Sequence, residues 1–204
     1  MEPTPTEFEI KAAIENIESI ADILKTLSFR SQETNEDVYF DTKDRQLFRH
    51  GCFLRLRNSK VFEIKYNPDA SDLRHIVCNE RKFDWPLDAP SNKTLGRFLA
   101  EDMGLKSLNE KEALDSFGLS EFVRVKKSRA VYTGDEIEVS IDNVEGLGAF
   151  VEVEAKGTQG AQKATLFCKK HGLRNLPIGY VELWLRKYDH AEYLQGKYVL
   201  DGDR

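Results

Sequence analysis

Residues 136–156, EIEVSIDNVEGLGAFVEVEAK, contain two runs in which polar and apolar residues alternate, separated by Gly146-Leu147-Gly148. Successive side chains of a β-strand point to opposite faces, and closely spaced glycines favour a turn. The pattern therefore predicts two antiparallel strands over 136–142 and 149–156. One face of each strand is apolar. The opposite faces carry Glu136, Glu138 and Asp142 on the first strand and Glu152, Glu154 and Lys156 on the second.

The same alternation recurs along the rest of the chain. It predicts further strands over 7–11, 36–41, 74–83 and 121–133, and a hairpin in which CFLRLRN and VFEIKY flank Asn58-Ser59-Lys60. Several of these strands oppose an apolar face to a face of Glu, Lys or Arg. The charged positions are Glu7, Glu9, Lys11, Arg55, Arg57, Glu63, Lys65, Lys127 and Arg129.

Helices are predicted near the start, middle and end of the chain by helical spacing and capping signals. They span 12–27, 92–103, 110–116, 158–171 and 180–195, with a short helical turn from Thr42 to Arg49. These helices do not alternate one-to-one with seven or eight strands, so a parallel βαβ sheet is disfavoured. Many short antiparallel strands favour a barrel. We expect one domain over residues 1–204, with residues 1–6 and 197–204 as loose ends.

The composition excludes several classes of protein. The 204 residues include 30 basic and 35 acidic side chains, a net charge of −5, which disfavours a nucleic-acid partner or an anionic membrane surface. The apolar runs are too short for a membrane-spanning helix, and no secretory signal is expected. Cys52, Cys78 and Cys168 are widely spaced, which disfavours a disulfide framework or a zinc site and favours the cytoplasm.

The charged strand faces have two interpretations. An antiparallel sheet often has one solvated polar face, but such faces usually mix Thr, Ser, Asn and Gln, whereas here Glu, Arg and Lys stand almost alone on five strands. If these faces instead point into a barrel, the buried charges need partners or ligands. Grouped carboxylates suit Mg²⁺ or Mn²⁺, and guanidinium and ammonium groups suit phosphate oxygens. A site with both would bind a triphosphate bridged to a divalent cation.

Phosphate-binding glycine motifs are absent from the sequence. It contains neither G-x-x-x-x-G-K-[ST] nor a G-x-G-x-x-G after a strand, so side chains would have to hold the phosphates.

Several segments together resemble the CYTH superfamily, the triphosphate tunnel metalloenzymes, which include class IV adenylate cyclases, thiamine triphosphatases and inorganic triphosphatases. The segments are EFEIK at 7–11, YFDT at 39–42, FLRLR at 53–57, FEIK at 62–65, KKSR at 126–129 and SIDNVEGLGAFVEVE at 140–154. They follow the family order from residue 7 to about 190. The resemblance implies an α+β fold, mainly antiparallel β, in which an eight-stranded closed β-barrel forms a tunnel with helices packed outside.

The resemblance also implies roles for individual residues. The metal side, for Mg²⁺ or Mn²⁺, would comprise Glu7, Glu9, Asp142, Glu152 and Glu154. The triphosphate would be bound by Lys11, Arg55, Arg57, Lys65, Lys127 and Arg129. The catalytic set would be Lys11, Arg57, Lys65, Glu152 and Glu154, with Glu63, Glu80 and Lys156 as further candidates. Whether Glu80 or Arg81 faces inward is open, and Gly179 stands where the family often has a basic residue before the tyrosine of the closing helix, here Tyr180.

Three functions follow from this site. The first is metal-dependent hydrolysis of a triphosphate, with inorganic triphosphate preferred and thiamine triphosphate or a nucleoside triphosphate as alternatives. The second is a class IV adenylate cyclase, which would form cyclic AMP and pyrophosphate from ATP. The third, a non-catalytic polyphosphate or nucleotide binder, would need a lost metal site, yet all four glutamates of the pattern are present. A homodimer is left open.

Overall fold

The structure is a computed structural model that describes residues 7–14, 17–67, 77–109, 111–134 and 137–204. Among the predicted site residues, Glu7 and Lys156 are described by their backbone only.

Eight antiparallel strands form one sheet, in the order β1-β5-β4-β3-β2-β6-β7-β8. Strand β1 pairs with β8 from Glu7 opposite Lys156 to Ala13 opposite Phe150, and it meets β5 at two further pairs. The predicted α+β class with an eight-stranded antiparallel sheet is thus confirmed. The strands are β1 (Glu7–Ala13), β2 (Ser28–Asp41), β3 (Cys52–Arg57), β4 (Val61–Tyr66), β5 (Val77–Asp84), β6 (Ser120–Gly134), β7 (Ile137–Val144) and β8 (Gly148–Lys156).

The helices lie between the strands near the start, middle and end of the chain, as predicted. They are α1 (Ile17–Leu24), α2 (Gln46–Arg49), α3 (Ala89–Arg97, continued by a π-helical turn over Phe98–Asp102), α4 (Ala113–Ser116), α5 (Gly157–Lys170), α6 (Tyr180–Tyr188) and α7 (His190–Tyr193). Within the described ranges, none of them has the length and apolar character that crossing a membrane requires.

Much of the apolar core lies between the helices and one face of the sheet. Leu54 and Ile64, which alternate with charged residues on β3 and β4, pack with Leu95 of α3, and all three are fully buried. On the other side, Val153 of β8 packs with Ala164 of α5. Because the apolar faces are covered by helices, the charged faces of the same strands point to the opposite, inner side of the sheet.

Helix α6 covers one end of this inner side. The inward positions at that end are apolar, with Phe53, Val123 and Phe150 packed against Tyr180 and Leu185 of the helix. Further along the same strands the inward positions become charged, at Arg55 on β3, Lys127 on β6 and Glu152 on β8. The interior is therefore apolar near α6 and polar beyond it.

Several predicted boundaries are wrong, among them the single helix predicted over 180–195, which is divided at Asp189 into α6 and α7. Strand β1 continues to Ala13, so the first helix begins at Ile17 and not at residue 12. Strand β2 begins at Ser28, because its polar first half pairs with β6 without burying an apolar face. Helix α3 begins at Ala89, since the Asp88 side chain accepts a hydrogen bond from the Ser91 amide and caps the helix.

Residues 197–204, predicted to be a loose end, instead pack on the fold. Tyr198 is buried against Phe53. The Leu200 amide donates to the Tyr193 hydroxyl, and Asp203 accepts two hydrogen bonds from Arg186. Residues 1–6, the other predicted loose end, lie outside the described residues.

Candidate functional site

The inward faces of all eight strands converge on a cavity of about 230 Å³. Apart from Tyr39, Val131, Gly179 and Tyr180, every residue lining it is charged. The interior interpretation of the charged faces is thus the correct one, and the solvated-face alternative is wrong. Ten predicted site residues line the cavity: Glu9, Lys11, Arg55, Arg57, Lys65, Glu80, Lys127, Arg129, Glu152 and Glu154.

Three carboxylates gather on the neighbouring strands β1 and β8. Glu9, Glu152 and Glu154 each offer an oxygen within 4.8 Å of the others, and Glu9 stands opposite Glu154 in the strand register. Carboxylate oxygens are the donors that Mg²⁺ and Mn²⁺ prefer. The donor set therefore fits the divalent cation that the sequence predicts.

Within this carboxylate cluster, the pKa values of Glu152 and Glu154 are shifted in opposite directions. Burial raises the pKa of Glu154 to about 7, with repulsion from Glu9 and Glu152 adding to the effect. Burial also opposes ionisation of Glu152, but Lys11 and Arg129 outweigh it and hold its pKa well below the usual value. The cluster thus contains a carboxylate stabilised by cations beside one whose negative charge is poorly compensated. A bound cation would supply the missing compensation.

Two lysines border the carboxylate cluster. The Lys11 ammonium lies 3.1 Å from Glu9 and 3.0 Å from Glu152, and the Lys65 ammonium lies 2.8 Å from Glu9. Burial alone would lower the pKa of Lys11, but the two glutamates raise it well above its ordinary value. The same balance, with Glu9 as the main partner, raises the pKa of Lys65. Both side chains therefore stay cationic inside the fold.

A second acidic centre, Asp142, lies behind the basic residues. Its fully buried carboxylate accepts hydrogen bonds from Lys127 at 2.6 Å, from Arg129 at 2.6 and 2.7 Å, and from the Tyr180 hydroxyl at 2.8 Å. Arg129 also donates to Glu152. The sequence interpretation placed Asp142 on the metal side, but in the described structure it does not join the carboxylate cluster. Its partners show that it orients cations.

A third acidic centre, Asp37, was missed by the sequence interpretation. Its fully buried carboxylate accepts hydrogen bonds from Arg57 at 2.8 and 2.9 Å and from Arg55 at 3.3 Å. Burial opposes ionisation, yet the two arginines lower the pKa of Asp37 to about 2. The signal was available, because Asp37 shares a face with Tyr39 in the predicted strand over 36–41, opposite Val38.

We expect Asp37→Asn to destabilise the fold in a pH-dependent way. A folded pKa of about 2, against an ordinary 3.8, means that ionised Asp37 contributes stability that is present above pH 4 and is lost as the pH falls toward 2. The shift corresponds to about 2 kcal/mol. Urea unfolding should show wild type more stable than the variant by about that amount at pH 5, with the difference shrinking between pH 4 and 2. A difference that stays constant over this range would contradict the role of Asp37.

Two further candidates, Glu63 and Glu80, lie on β4 and β5, and Glu80 lines the cavity. The Arg55 Nε donates to Glu63 at 2.6 Å. Glu80 faces inward, and its carboxylate lies 3.0 Å from the Lys82 ammonium. Of Glu80 and Arg81, the inward-facing residue is therefore Glu80. Arg81 lies on the outer face, its guanidinium over the Phe98 ring. Tyr180 of α6 also lines the cavity, a contribution that strand alternation had no means to show.

A carboxylate cluster facing a set of arginines and lysines in one cavity defines the class of site that binds a polyanion together with a divalent cation. A family model described as the CYTH domain matches residues 5–177, and the chain belongs to this family. Membership implies dependence on a divalent metal.

Individual relatives agree with this assignment. A Methanocaldococcus jannaschii protein named "putative adenylate cyclase" is 29% identical over 151 residues, which cover 72% of this chain and 75% of that protein. A solved structure from Pyrococcus horikoshii OT3 has 22% identity and a TM-score of 0.66, covering 89% of this chain and 99% of its own. A Hippeastrum "putative adenylyl cyclase", described as revealing a dominant triphosphatase activity, has 17% identity and a TM-score of 0.59, covering 97% and 98%. The similarity to these two solved structures, from P. horikoshii and Hippeastrum, shows that the fold is shared.

Proposed function

We propose that the chain is a divalent-metal-dependent triphosphatase, with inorganic triphosphate as its preferred substrate, and that the sheet closes into a tunnel around the site. The observation that carries the proposal is the lining of the cavity. Carboxylates gather on β1 and β8, basic side chains come from β1, β3, β4, β5 and β6, and few lining residues are uncharged. Such a lining matches a small, highly charged substrate and offers little apolar surface to an organic group.

The pairing of acids and bases supports this proposal. Buried charges cost several kcal/mol each unless they are compensated, and here Glu152 compensates Lys11 while Asp37 compensates Arg57. A triphosphate with a divalent cation can substitute for these internal partners, because its oxygens satisfy the lysines and arginines while the cation satisfies the carboxylates. The site can therefore exchange one set of neutralising contacts for another.

In this proposal, one group of residues binds the metal and another group binds the substrate. Glu9, Glu152 and Glu154 would hold the cation, with Glu7 as a further predicted ligand. When bound, the cation would neutralise charge on phosphate oxygens. Arg55, Arg57, Lys65, Lys11, Lys127 and Arg129 would bind the triphosphate chain. A carboxylate of the cluster would orient the water that attacks the terminal phosphorus, so that triphosphate and water yield pyrophosphate and phosphate.

Adenylate cyclase activity is the second candidate, because the M. jannaschii relative carries that name. In that reaction the ribose 3′-hydroxyl attacks the α-phosphorus of ATP and pyrophosphate leaves. The description of the Hippeastrum protein favours hydrolysis over cyclisation. A cytoplasmic location, a single domain over residues 1–204 and the open homodimer stay predictions from the sequence.

We expect phosphate release from inorganic triphosphate to be faster than cyclic AMP formation from ATP. Purified protein with Mg²⁺ or Mn²⁺ should be offered inorganic triphosphate, thiamine triphosphate and ATP, with free phosphate and cyclic AMP both measured and an EDTA-treated sample as the control. Stoichiometric cyclic AMP and pyrophosphate from ATP, with little phosphate, would favour the cyclase. Tight binding of triphosphate without turnover under every metal condition would favour the non-catalytic binder.

A further inference from the structure

Tyr180 connects helix α6 to the charged cavity. It is the first residue of α6, is 5% exposed and lines the cavity beside Gly179. Its ring centroid lies 4.4 Å from the Lys11 ammonium and 4.7 Å from the Lys127 ammonium. Its hydroxyl donates to Asp142 at 2.8 Å. One side chain therefore contacts two predicted substrate-binding lysines and the carboxylate that holds one of them.

The ring has a physical effect that an acidic partner would not have. A cation near an aromatic face is attracted by the ring quadrupole, and this attraction is stronger in a desolvated site. The ring carries no charge, so it holds Lys11 and Lys127 without adding to the negative charge that Glu9, Glu152 and Asp142 already place beside them. A carboxylate at the same position would add a further negative charge, which would repel an anionic substrate.

The hydroxyl fixes the ring in turn. Asp142 is fully buried, and its carboxylate accepts hydrogen bonds from the Tyr180 hydroxyl, from Lys127 and from Arg129. The orientation of the ring is thus tied to the same carboxylate that orients two predicted phosphate-binding cations. Packing of α6 on the apolar end of the interior places the tyrosine where it meets both groups.

We propose that Tyr180 is a positioning residue of the triphosphate site, whose ring holds Lys11 and Lys127 toward the substrate. This inference rests on the proposed function, because it takes the two lysines to bind the triphosphate. It adds that helix α6 contributes to substrate affinity as well as to the core.

Two substitutions separate the ring from the hydroxyl. Tyr180→Phe keeps the ring, and we expect the KM for inorganic triphosphate to stay within about threefold of wild type, since Asp142 keeps Lys127 and Arg129 as partners. Tyr180→Leu removes the ring, and we expect KM to rise about tenfold, equivalent to about 1.4 kcal/mol, with a smaller change in kcat.

Tyr193→Leu is the matched control. Tyr193 is fully buried in the same apolar cluster, its hydroxyl bonds to Asp203, and it does not line the cavity. We expect this variant to lower Tm at unchanged KM. Equal rises in KM for Tyr180→Leu and Tyr193→Leu would show a general packing effect and overturn the inference, as would an unchanged KM in Tyr180→Leu.

Direct binding of inorganic triphosphate separates this inference from the proposed function. If wild type binds triphosphate without hydrolysing it, the proposed function is wrong, and Kd replaces KM in the comparison of the variants. A weaker Kd in Tyr180→Leu alone then supports the positioning role. If wild type neither binds nor hydrolyses triphosphate, both proposals are overturned.

Discussion

Replacing Glu152 and Glu154 together by glutamine should abolish metal-dependent turnover, with a loss of at least about 10³-fold. The substitution keeps the size of both side chains and one acceptor oxygen on each, but replaces two of the three carboxylates of the cluster by neutral amides. A divalent cation contributes several kcal/mol of charge stabilisation in phosphoryl transfer, and each 1.36 kcal/mol is a factor of ten in rate. Calorimetric titration with Mn²⁺ should show weakened metal binding alongside the lost phosphate release.

The same variant should bind metal-free triphosphate at least as tightly as wild type. Glu152 pairs with Lys11 and Arg129, so removing its charge leaves Lys11 with Glu9 and Arg129 with Asp142 as partners and makes both cations less neutralised toward an anion. Glu36→Gln/Glu121→Gln is the matched control, because it also removes two charges from strands but alters an exposed network around Arg124. Full metal-dependent turnover in the Glu152→Gln/Glu154→Gln variant would show that these carboxylates are only structural.

The alternation of residues predicted most of the sheet and most of the site, because a strand with one face under helices presents its other face to the opposite side of the sheet. The near-exclusive Glu, Lys and Arg on those faces favoured an interior over a solvated surface. The pattern thus predicted that Lys11, Arg55 and Glu152 lie together, and all three line the same cavity. The first half of β2 escaped it, since residues 28–34 are largely exposed and bury no apolar face. Local pattern carries no information about a pairing that is decided by the partner strand β6.

The position of a residue along the length of the interior is the second property that the sequence did not predict. Alternation shows which side of the sheet a residue faces, but not how far along the interior it lies. Asp142 and Glu152 therefore both counted as metal-side acids, although Asp142 lies among cations and Glu152 lies in the carboxylate cluster. Tyr180 was identified only as the tyrosine of the closing helix and not as a site residue, because it enters the interior from a helix, outside the periodicity of any strand.

The distribution of apolar and charged residues has a consequence for stability. The apolar faces of the strands lie under helices, so the fold can bury a core while the interior is kept for charge. Internal pairs such as Asp37 with Arg57 then decide whether that charge is tolerated. Substitutions in the interior will therefore act on stability and on substrate binding separately, and experiments must measure both.

Arg57→Ala should reduce turnover of inorganic triphosphate by about 10²- to 10³-fold, the range found when one preorganised charged or polar contact to a transition state is removed. Arg57 lines the cavity, and Asp37 fixes its Nε and Nη2. The guanidinium is therefore held in place before substrate arrives. Because the carboxylate cluster is untouched, calorimetry should show Mn²⁺ binding close to that of wild type, in contrast to the glutamate variant.

The stability of Arg57→Ala needs its own control, because the substitution leaves the buried Asp37 with Arg55 as its hydrogen-bond partner, at 3.3 Å. The double variant Arg57→Ala/Asp37→Asn removes both charges of the pair, so we expect it to recover part of the Tm that Arg57→Ala loses. Its turnover should stay low, since no phosphate partner is restored. Arg124→Ala, which removes an arginine from the outer face of β6, should keep wild-type turnover. If turnover recovers together with Tm in the double variant, Arg57 acts by supporting the fold and does not bind the substrate.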